Sequence, residues 1–205
     1  MQTLKNRGVL AVVSGPSGVG KGTVCARLIE KYPGCFLSIS ATSRSPRGAE
    51  EDGVHYYFKS REEFEEMIKN DELLEHAQYV DKYYGTPKKP CMEHIDKGEN
   101  VILEIEIQGG MKVKEKEPDT VMIFVVPPSM EELESRLRGR GTESEELVLQ
   151  RLARAKEEIA EMGNYDYIVV NDSIEETADR IYSILEAESN KTSKIINYIK
   201  KELEL

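Results

Sequence analysis

A glycine-rich stretch near the N-terminus constrains the fold of this chain more than any other part of the sequence. It follows the apolar run 9–14, leads into a segment with helical apolar spacing, and consists of Gly15-Pro16-Ser17-Gly18-Val19-Gly20-Lys21-Gly22-Thr23. Its glycines permit backbone conformations that turn successive N–H groups toward an anion, and the following helix adds its positive N-terminal end. The order strand, phosphate loop and helix therefore predicts an α/β fold that binds a nucleotide, with Lys21 beside the β- and γ-phosphates.

One position of this loop departs from the general pattern GxxxxGK[ST]. Gly22 stands where a hydroxyl usually contacts Mg²⁺, and the hydroxyl comes one residue later, at Thr23. The alternative interpretation is a glycine-rich turn that only caps a structural helix. We favour nucleotide binding because a buried strand precedes the loop and the lysine stands in register.

Composition limits the partners of the chain. Its 205 residues include 28 Lys and Arg against 38 Asp and Glu, and the net charge of −10 opposes non-specific binding to nucleic acid or to an anionic membrane. The length suits one α/β domain with inserted substrate-binding segments. The three cysteines, Cys25, Cys35 and Cys91, lack the spacing of a zinc site or a disulfide framework, and the N-terminal apolar run is too short to span a membrane and lacks a cleavage site. We expect reduced thiols, a cytoplasmic location and small anionic partners.

Apolar runs and helical patterns alternate along the rest of the chain. Strands are predicted at 36–40, 54–58, 73–80, 101–107, 121–126 and 167–172, and residues 82–87 are predicted to form a hairpin or an exposed turn. Helix starts are indicated by capping boxes at Ser60, Ser129, Thr142 and Ser173. An amphipathic segment beyond residue 190 either continues the last helix or forms a short one. The pattern predicts a parallel sheet flanked by helices, with a small β-rich insertion from about residue 36 to 90.

Two acidic residues, Glu104 and Glu106, alternate with apolar residues in the run 101–107. On a strand they would share one face, and a buried pair of carboxylates costs desolvation unless a cation or a hydrogen-bond donor meets it. This pair is a candidate site. The alternative is an edge strand that turns a polar face to water.

Five arginines fall within a short part of the chain around Gly139 and Gly141, namely Arg136, Arg138, Arg140, Arg151 and Arg154. A solvated charged helix would explain them without a function. Beside a phosphate-loop fold, arginines that flank a glycine hinge favour a lid that closes over phosphates.

Several motifs in order along the chain resemble the guanylate kinase family from about residue 9 to 185. They are the loop 15–23, Ser43-Arg44-Ser45-Pro46-Arg47, Tyr83-Tyr84-Gly85-Thr86, Glu104-Ile105-Glu106-Ile107-Gln108-Gly109, Arg138-Gly139-Arg140-Gly141-Thr142 and Val169-Val170-Asn171-Asp172. The resemblance implies the reversible reaction ATP + GMP ⇌ ADP + GDP with Mg²⁺, in guanine nucleotide metabolism. It also implies a core formed by residues 1–35, 95–136 and 165–205, a GMP-binding segment at 36–94 and a lid at 137–164.

The resemblance implies which residues bind GMP, the acceptor nucleotide. It implies that Glu75 reads guanine, with the base oxygen O6 near Ser40 and Thr86, and that four side chains reach the GMP phosphate, namely Arg44, Arg47, Tyr56 and Tyr84. Glu104 and Glu106 match a pair of acids near GMP and magnesium-bound water. The family often has Asp at one or both positions, so their separate roles stay open.

On the ATP side, the resemblance implies that the loop residues 15–23 and Asn171 contact the nucleotide. Catalysis is assigned to charge neutralisation by Lys21, Arg44, Arg136, Arg140 and Arg151. No direct protein ligand to Mg²⁺ is expected, and Thr23 and Glu104 are candidates for contact through water. Arg138 and Arg154 receive no role.

Two other functions were weighed against this assignment. Another nucleoside monophosphate kinase would share the loop, and Glu75 with Ser40 and Thr86 is the feature that distinguishes a guanine acceptor. A non-catalytic interaction module tends to lose loop or lid residues, whereas this chain retains Lys21 and the arginines. We therefore expect GMP, dGMP and ATP as partners, in a chain that is either a monomer or a homodimer.

Overall fold

The computed structural model describes residues 7–139 and 144–203. Strands and helices alternate along most of this part of the chain. The strands are β1 (Leu10–Ser14), β2 (Cys35–Leu37), β3 (Ala41–Thr42), β4 (Tyr57–Phe58), β5 (Leu73–Tyr79), β6 (Lys82–Pro87), β7 (Asn100–Glu104), β8 (Val121–Val126) and β9 (Tyr167–Val170). The helices are α1 (Lys21–Lys31), α2 (Arg61–Lys69), α3 (Lys88–Asp96), α4 (Ile107–Lys116), α5 (Met130–Gly139), α6 (Glu145–Ala160), α7 (Ile174–Ser189) and α8 (Thr192–Glu202).

The larger sheet is parallel, and its strand order is β2-β7-β1-β8-β9. Successive side chains of the central strand β1 point to opposite faces, so both faces need a cover. On one face Val13 belongs to a cluster with Leu28 of α1 and Ile181 of α7. On the other face Val12 belongs to a cluster with Ile95 of α3. Burial of each such side chain contributes about 1.5–3 kcal/mol to the stability of the fold. The parallel sheet with helices on both faces confirms the predicted α/β class.

The predicted β-rich insertion forms a second sheet of four strands in the order β4-β3-β6-β5. β5 and β6 are an antiparallel hairpin, so this alternative for residues 82–87 is confirmed. The strand predicted at 36–40 is shorter than expected, since β2 ends at Leu37 and pairs with β7 in the larger sheet. The strand predicted at 54–58 is also shorter, because the Gly53 N–H donates to the Tyr56 carbonyl oxygen at 2.8 Å and closes a turn before β4.

The predicted strand 101–107 is wrong in its second half. β7 ends at Glu104, Glu106 is the N-cap of α4, and the helix then runs through Gly109 and Gly110. Consecutive glycines are unfavourable inside a helix and usually mark a turn, but here Gly110 allows close packing. A Cβ atom on Gly110 would lie 3.0 Å from Val12 Cγ1, so only glycine lets α4 approach the sheet this closely.

α6, which lies in the predicted lid, packs on α5, most of which lies in the predicted core. The contact consists of buried apolar residues, which are Leu133, Leu137, Val148 and Ala155. The N-cap of α6 is Ser144, whose side chain accepts from the Leu147 N–H, and not Thr142 as predicted. Thr142, Arg140 and Gly141 lie outside the described residues.

The other predicted helix starts are confirmed, and the C-terminal segment forms a helix of its own. Ser60 and Glu63 form a complete capping box, and the hydroxyls of Ser129 and Ser173 accept from the backbone N–H three residues on. α8 follows α7 after the C-cap residue Asn190. The three cysteines are buried free thiols. None of the helices in residues 7–139 and 144–203 has the length and apolar character needed to cross a membrane.

Candidate active site

The predicted phosphate loop connects β1 to α1. Gly20 is the N-cap of α1 with a φ of 98°, a left-handed conformation that favours glycine. Gly15 brings the loop against β8, since a Cβ atom there would lie 2.2 Å from the carbonyl oxygen of Val125. No described side chain caps α1. The first-turn N–H groups and the positive end of the helix dipole are therefore available to an anion.

Lys21 is the first residue of α1, and its ammonium folds back over the loop. Nζ donates to the carbonyl oxygens of Gly15 at 2.6 Å and Pro16 at 3.2 Å. Burial lowers the pKa of Lys21, and the nearby carboxylates of Glu104 and Glu158 oppose this shift. The loop therefore holds a positive charge in a fixed orientation.

Glu104, at the end of β7, lies over the first turn of α1. A Cβ atom on Gly22 would lie 3.5 Å from each oxygen of the Glu104 carboxylate. A carboxylate thus lies next to the position at which the general loop pattern has a hydroxyl. Partial desolvation in the cleft raises the pKa of Glu104, although the side chain is exposed, and Lys21 opposes the shift.

A cleft of about 250 Å³ separates the phosphate loop from the end of β7 and the start of α4. Its lining comprises Gly15, Ser17, Lys21, Glu104, Ile105, Glu106, Ile107, Arg154 and Glu158. Arg154 of α6 donates to the Glu106 carboxylate at 3.3 Å. The structure therefore brings the two predicted acids to one cleft, from a strand end and a helix N-cap instead of from one strand face.

Two of the three lid and core arginines predicted to act in catalysis contact the loop or its surroundings. Arg151 of α6 donates to the Ser17 hydroxyl at 3.0 Å. Arg136 of α5 donates to the backbone oxygens of Val19 at 3.3 Å and Asn171 at 3.0 Å. These bonds connect both helices to the loop.

Asn171 lies buried next to the loop, with 3% of its surface exposed. Its Nδ2 donates to the Val19 carbonyl oxygen at 2.7 Å, and its Oδ1 accepts from the Thr177 hydroxyl at 3.1 Å. The side chain of Asn171 thereby connects the loop to Thr177 of α7. Its predicted contact with ATP stays a prediction.

Glu158 of α6 was missed by the sequence interpretation. Its Oε2 accepts the backbone N–H of Ser17 in the loop at 3.1 Å, and its Oε1 accepts from Arg154 at 2.8 Å. The spacing of Arg154 and Glu158 indicates an ion pair on one helix face, but no local pattern places that face against the loop. This carboxylate therefore occupies the N–H of Ser17, one of the donors of the loop.

Glu75 of β5 is a buried carboxylate in the second sheet. Thr86, its partner across the hairpin, donates its hydroxyl to Oε1 at 2.9 Å. Burial raises the pKa of Glu75, and the hydrogen bond from Thr86 acts in the opposite direction. The other oxygen, Oε2, lies at the first turn of α4, 3.1 Å from where a Cβ atom on Gly109 would be. Ser40 directly precedes β3, which pairs with β6.

Arg44 is a second buried charge on this side of the molecule. Its guanidinium pairs with Glu50 at 2.7 Å and lies 5.0 Å from the centre of the Tyr56 ring. The rings of Tyr56 and Tyr84 are 6.3 Å apart. The structure thus gathers three of the four predicted phosphate contacts, while the fourth, Arg47, is exposed.

Comparison with known proteins identifies the family. The guanylate kinase family model matches residues 7–188. The chain belongs to the guanylate kinase family.

Relatives support this over nearly the whole length. The guanylate kinase of Halalkalibacterium halodurans is 54% identical over 94% of each chain, and that of Lactococcus lactis is 51% identical over 94% of each chain. The crystal structure of guanylate kinase from Anaplasma phagocytophilum matches with a TM-score of 0.74 at 40% identity, covering 96% of this chain and 95% of that one. The chain is therefore an ATP:GMP phosphotransferase with a phosphate loop, and the interaction-module alternative is set aside.

Gly109 offers a test of the guanylate kinase acceptor side. Gly109→Ala would place a methyl group against the Glu75 carboxylate, which must then shift by a few tenths of an ångström. We expect the KM for GMP to rise about tenfold, the equivalent of one misaligned hydrogen bond to a charged group, with a smaller change in kcat and in the KM for ATP. Steady-state kinetics with each substrate varied measures this.

The matched control is Gly34→Ala, because a Cβ atom there would meet no described atom within 4 Å. In the test variant Gly109→Ala the new alanine lies inside α4, and alanine stabilises a helix relative to glycine by about 0.5–1 kcal/mol. Unfolding should therefore not cause the expected rise in the KM for GMP. An unchanged KM for GMP would contradict the placement of Glu75 in the acceptor site.

Proposed function

We propose that the phosphates of ATP bind in the loop 15–23, that GMP binds around Glu75 and Arg44, and that the γ-phosphoryl group crosses the cleft between them. The buried pair Glu75 and Thr86 is the observation that carries this proposal, because a phosphate loop alone does not select an acceptor. α4 supports the arrangement, since its N-cap Glu106 lines the cleft and its Gly109 lies against Glu75.

Glu75 suits guanine by its hydrogen-bonding capacity. An ionised carboxylate only accepts, and guanine offers two adjacent donors, N1–H and the 2-amino group. Adenine presents a lone pair at N1 and has no 2-amino group, so a buried carboxylate would lose both bonds. Ser40 and Thr86 are assigned to the guanine O6 side.

The phosphate of GMP is assigned to Arg44, Arg47, Tyr56 and Tyr84. Arginine presents a planar fork of donors that matches two phosphate oxygens. The aromatic rings beside Arg44 hold the guanidinium by cation–π contact. The cluster is thus built before the substrate arrives.

The transfer itself needs no general base, because the attacking phosphate oxygen of GMP is already anionic at neutral pH. That oxygen forms a bond to the γ-phosphorus while the bond from this phosphorus to the bridging oxygen breaks, and ADP leaves with the electron pair. Lys21, Arg136, Arg140 and Arg151 are assigned to neutralise the charge on the phosphate oxygens, and the two binding sites to align attack with departure.

Mg²⁺ is proposed to bind together with ATP. The carboxylate of Glu104 supplies a hard oxygen beside Gly22, the position at which the general loop pattern has a hydroxyl, and the hydroxyl of Thr23 follows one residue later in α1. Both residues are assigned to contact the ion through water. When bound, the ion supplies charge neutralisation between the β- and γ-phosphates.

We also propose that the segment 36–94 and the lid 137–164 move against a core formed by residues 1–35, 95–136 and 165–205. The separate second sheet supports the first boundary, although β2 belongs to the core sheet. Closure would exclude water, which otherwise accepts the phosphoryl group. dGMP is proposed as a further acceptor, since the assigned contacts are to base and phosphate. The free thiols support a cytoplasmic location.

The test is ADP formation from Mg-ATP with GMP, dGMP, AMP, CMP, UMP or no acceptor, for the parent chain and for Arg44→Ala. We expect turnover with GMP and dGMP, little with the others, and a large loss in Arg44→Ala. Equal turnover with AMP would overturn the role of Glu75. ATP hydrolysis without an acceptor at the transfer rate would overturn the exclusion of water, and an unaffected Arg44→Ala variant would overturn the phosphate site.

A further inference from the structure

Glu50 lies between β3 and β4 and contacts the arginine that is assigned to the acceptor phosphate. Its two carboxylate oxygens accept from the terminal nitrogens of Arg44, from Nη1 at 2.7 Å and from Nη2 at 2.9 Å. The backbone N–H of Arg47 donates to the same carboxylate at 2.8 Å, and the Glu50 N–H donates to the Arg47 carbonyl oxygen at 3.1 Å. One carboxylate thus closes the whole loop from Arg44 to Glu50.

A count of donors shows which part of Arg44 remains for a ligand. A guanidinium has five N–H bonds. Nη1 uses both of its own, one toward Glu50 and one toward the Ser45 carbonyl oxygen at 2.9 Å, and Nη2 uses one toward Glu50. The Nε–H and the second Nη2–H donate to neither Glu50 nor Ser45, and they lie on one edge of the plane. This edge is a fork that matches two oxygens of a phosphate. The further side chain that hydrogen-bonds Arg44 is Tyr84, which is itself assigned to the phosphate.

The surroundings hold the guanidinium in this orientation. The Arg44 side chain is only 9% exposed, and its guanidinium lies 5.0 Å from the Tyr56 ring centre and 5.8 Å from the Phe58 ring centre. Tyr84 also interacts with the guanidinium. The hydrogen bonds from Arg44 lower the pKa of Glu50 to about 2, so its carboxylate is ionised at neutral pH.

We infer that Glu50 is a positioning residue of the acceptor site, which holds the Nη1–Nη2 end of Arg44 and so presents the Nε–Nη2 edge to the phosphate of GMP. The inference rests on the proposed role of Arg44. The effect is preorganisation, because a guanidinium that is already oriented loses less freedom when the ligand binds. Without Glu50 the buried guanidinium loses two of its hydrogen bonds and has no fixed edge toward the ligand.

Calorimetric binding of GMP and of guanosine tests this inference, because guanosine carries the base without the phosphate. We expect Glu50→Gln to weaken GMP binding about 10- to 100-fold through the loss of charge-assisted bonds, and to leave guanosine binding unchanged. In kinetics, the KM for GMP should rise more than kcat falls, and the KM for ATP should stay the same. The matched control is Glu51→Gln, which removes the same charge from the exposed neighbouring position.

Three outcomes would overturn the inference while leaving the role of Arg44 intact. They are an unchanged GMP affinity in Glu50→Gln, an equal loss of guanosine affinity, which indicates a structural role, and full retention of GMP affinity in Glu50→Asp, whose shorter side chain cannot keep both bonds. In an Arg44→Ala background, Glu50→Gln should add little, because its effect passes through Arg44. If Arg44→Ala itself binds GMP normally, the proposed role of Arg44 fails first.

Discussion

Lys21→Met is expected to lower kcat about a thousandfold, the scale of removing one preorganised donor from a developing charge. The ammonium is held by two loop carbonyls, at 2.6 and 3.2 Å, and is assigned to the β- and γ-phosphates. Methionine keeps the length of the side chain and removes the charge. Steady-state ADP formation with saturating GMP measures the loss.

The fold of this variant should persist. Burial lowers the pKa of Lys21, so its charge opposes folding at neutral pH, and an apolar side chain removes that cost. Lys69→Met, at an exposed position in the last turn of α2, is the matched control and should keep its activity. A Lys21→Met enzyme with normal kcat, or one that has lost its thermal transition, would contradict the assigned role.

Glu75→Gln should have the second large effect, a change in specificity. Two charge-assisted bonds to guanine would become one neutral bond and one contact between two donors. A loss of about 3 kcal/mol lowers kcat/KM for GMP about 100-fold. Glutamine also offers a donor to adenine N1, so kcat/KM for AMP should rise and the preference for GMP should nearly vanish. The measurement is kcat/KM for both acceptors in the same preparation.

Measurements of unfolding and of GMP binding separate the role of Glu75 in ligand recognition from its effect on stability. Because burial raises the pKa of Glu75, the free energy of unfolding falls as the pH rises from the ordinary pKa of glutamate into the raised range, and it stays lowered at neutral pH. Glu75→Gln should therefore unfold at no lower temperature than the parent chain. In the parent chain, GMP binding should weaken on acidification from a higher pH than an exposed glutamate would give.

Glu72→Gln is the control for this pair of measurements, since Glu72 is exposed just before β5 and carries the same charge. It should change neither the acceptor preference nor the acid limb of GMP binding. A Glu75→Gln enzyme that still prefers GMP over AMP as strongly as before would falsify the assignment of Glu75 to the base.

Local patterns predicted most of the fold correctly. The run 121–126 is apolar throughout, and it is a parallel strand covered on both faces, as such runs are. The failures came where a tertiary contact overrides a local signal. A Gly-Gly pair usually marks a turn, but Gly109 and Gly110 lie inside α4, where Gly110 lets the helix approach Val12 of the larger sheet closely. Thr142 and Ser144 both precede acidic residues, so the local signal does not choose between them, and α6 begins after Ser144.

Some residues of the candidate site were predicted from the sequence, and others were not. The phosphate loop and the cluster of five arginines between residues 136 and 154 were predicted from residue type and spacing, because the chemistry of phosphate restricts which side chains serve. Glu75 and the separate roles of the arginines were predicted only from the resemblance to the guanylate kinase family. Glu158 and Glu50 were not found. Each is one acidic residue among 38 Asp and Glu, and its importance comes from a partner on another segment or across a loop.

Periodicity and glycine positions act over a few residues, so the order strand, phosphate loop and helix could be predicted without coordinates, and so could a parallel sheet. The three-dimensional packing places Glu104 over Gly22, lets Glu158 accept from Ser17, and brings α4 to both the cleft and Glu75. These contacts join residues far apart in the chain. Their distances depend on how closely whole elements pack, and no local pattern encodes that.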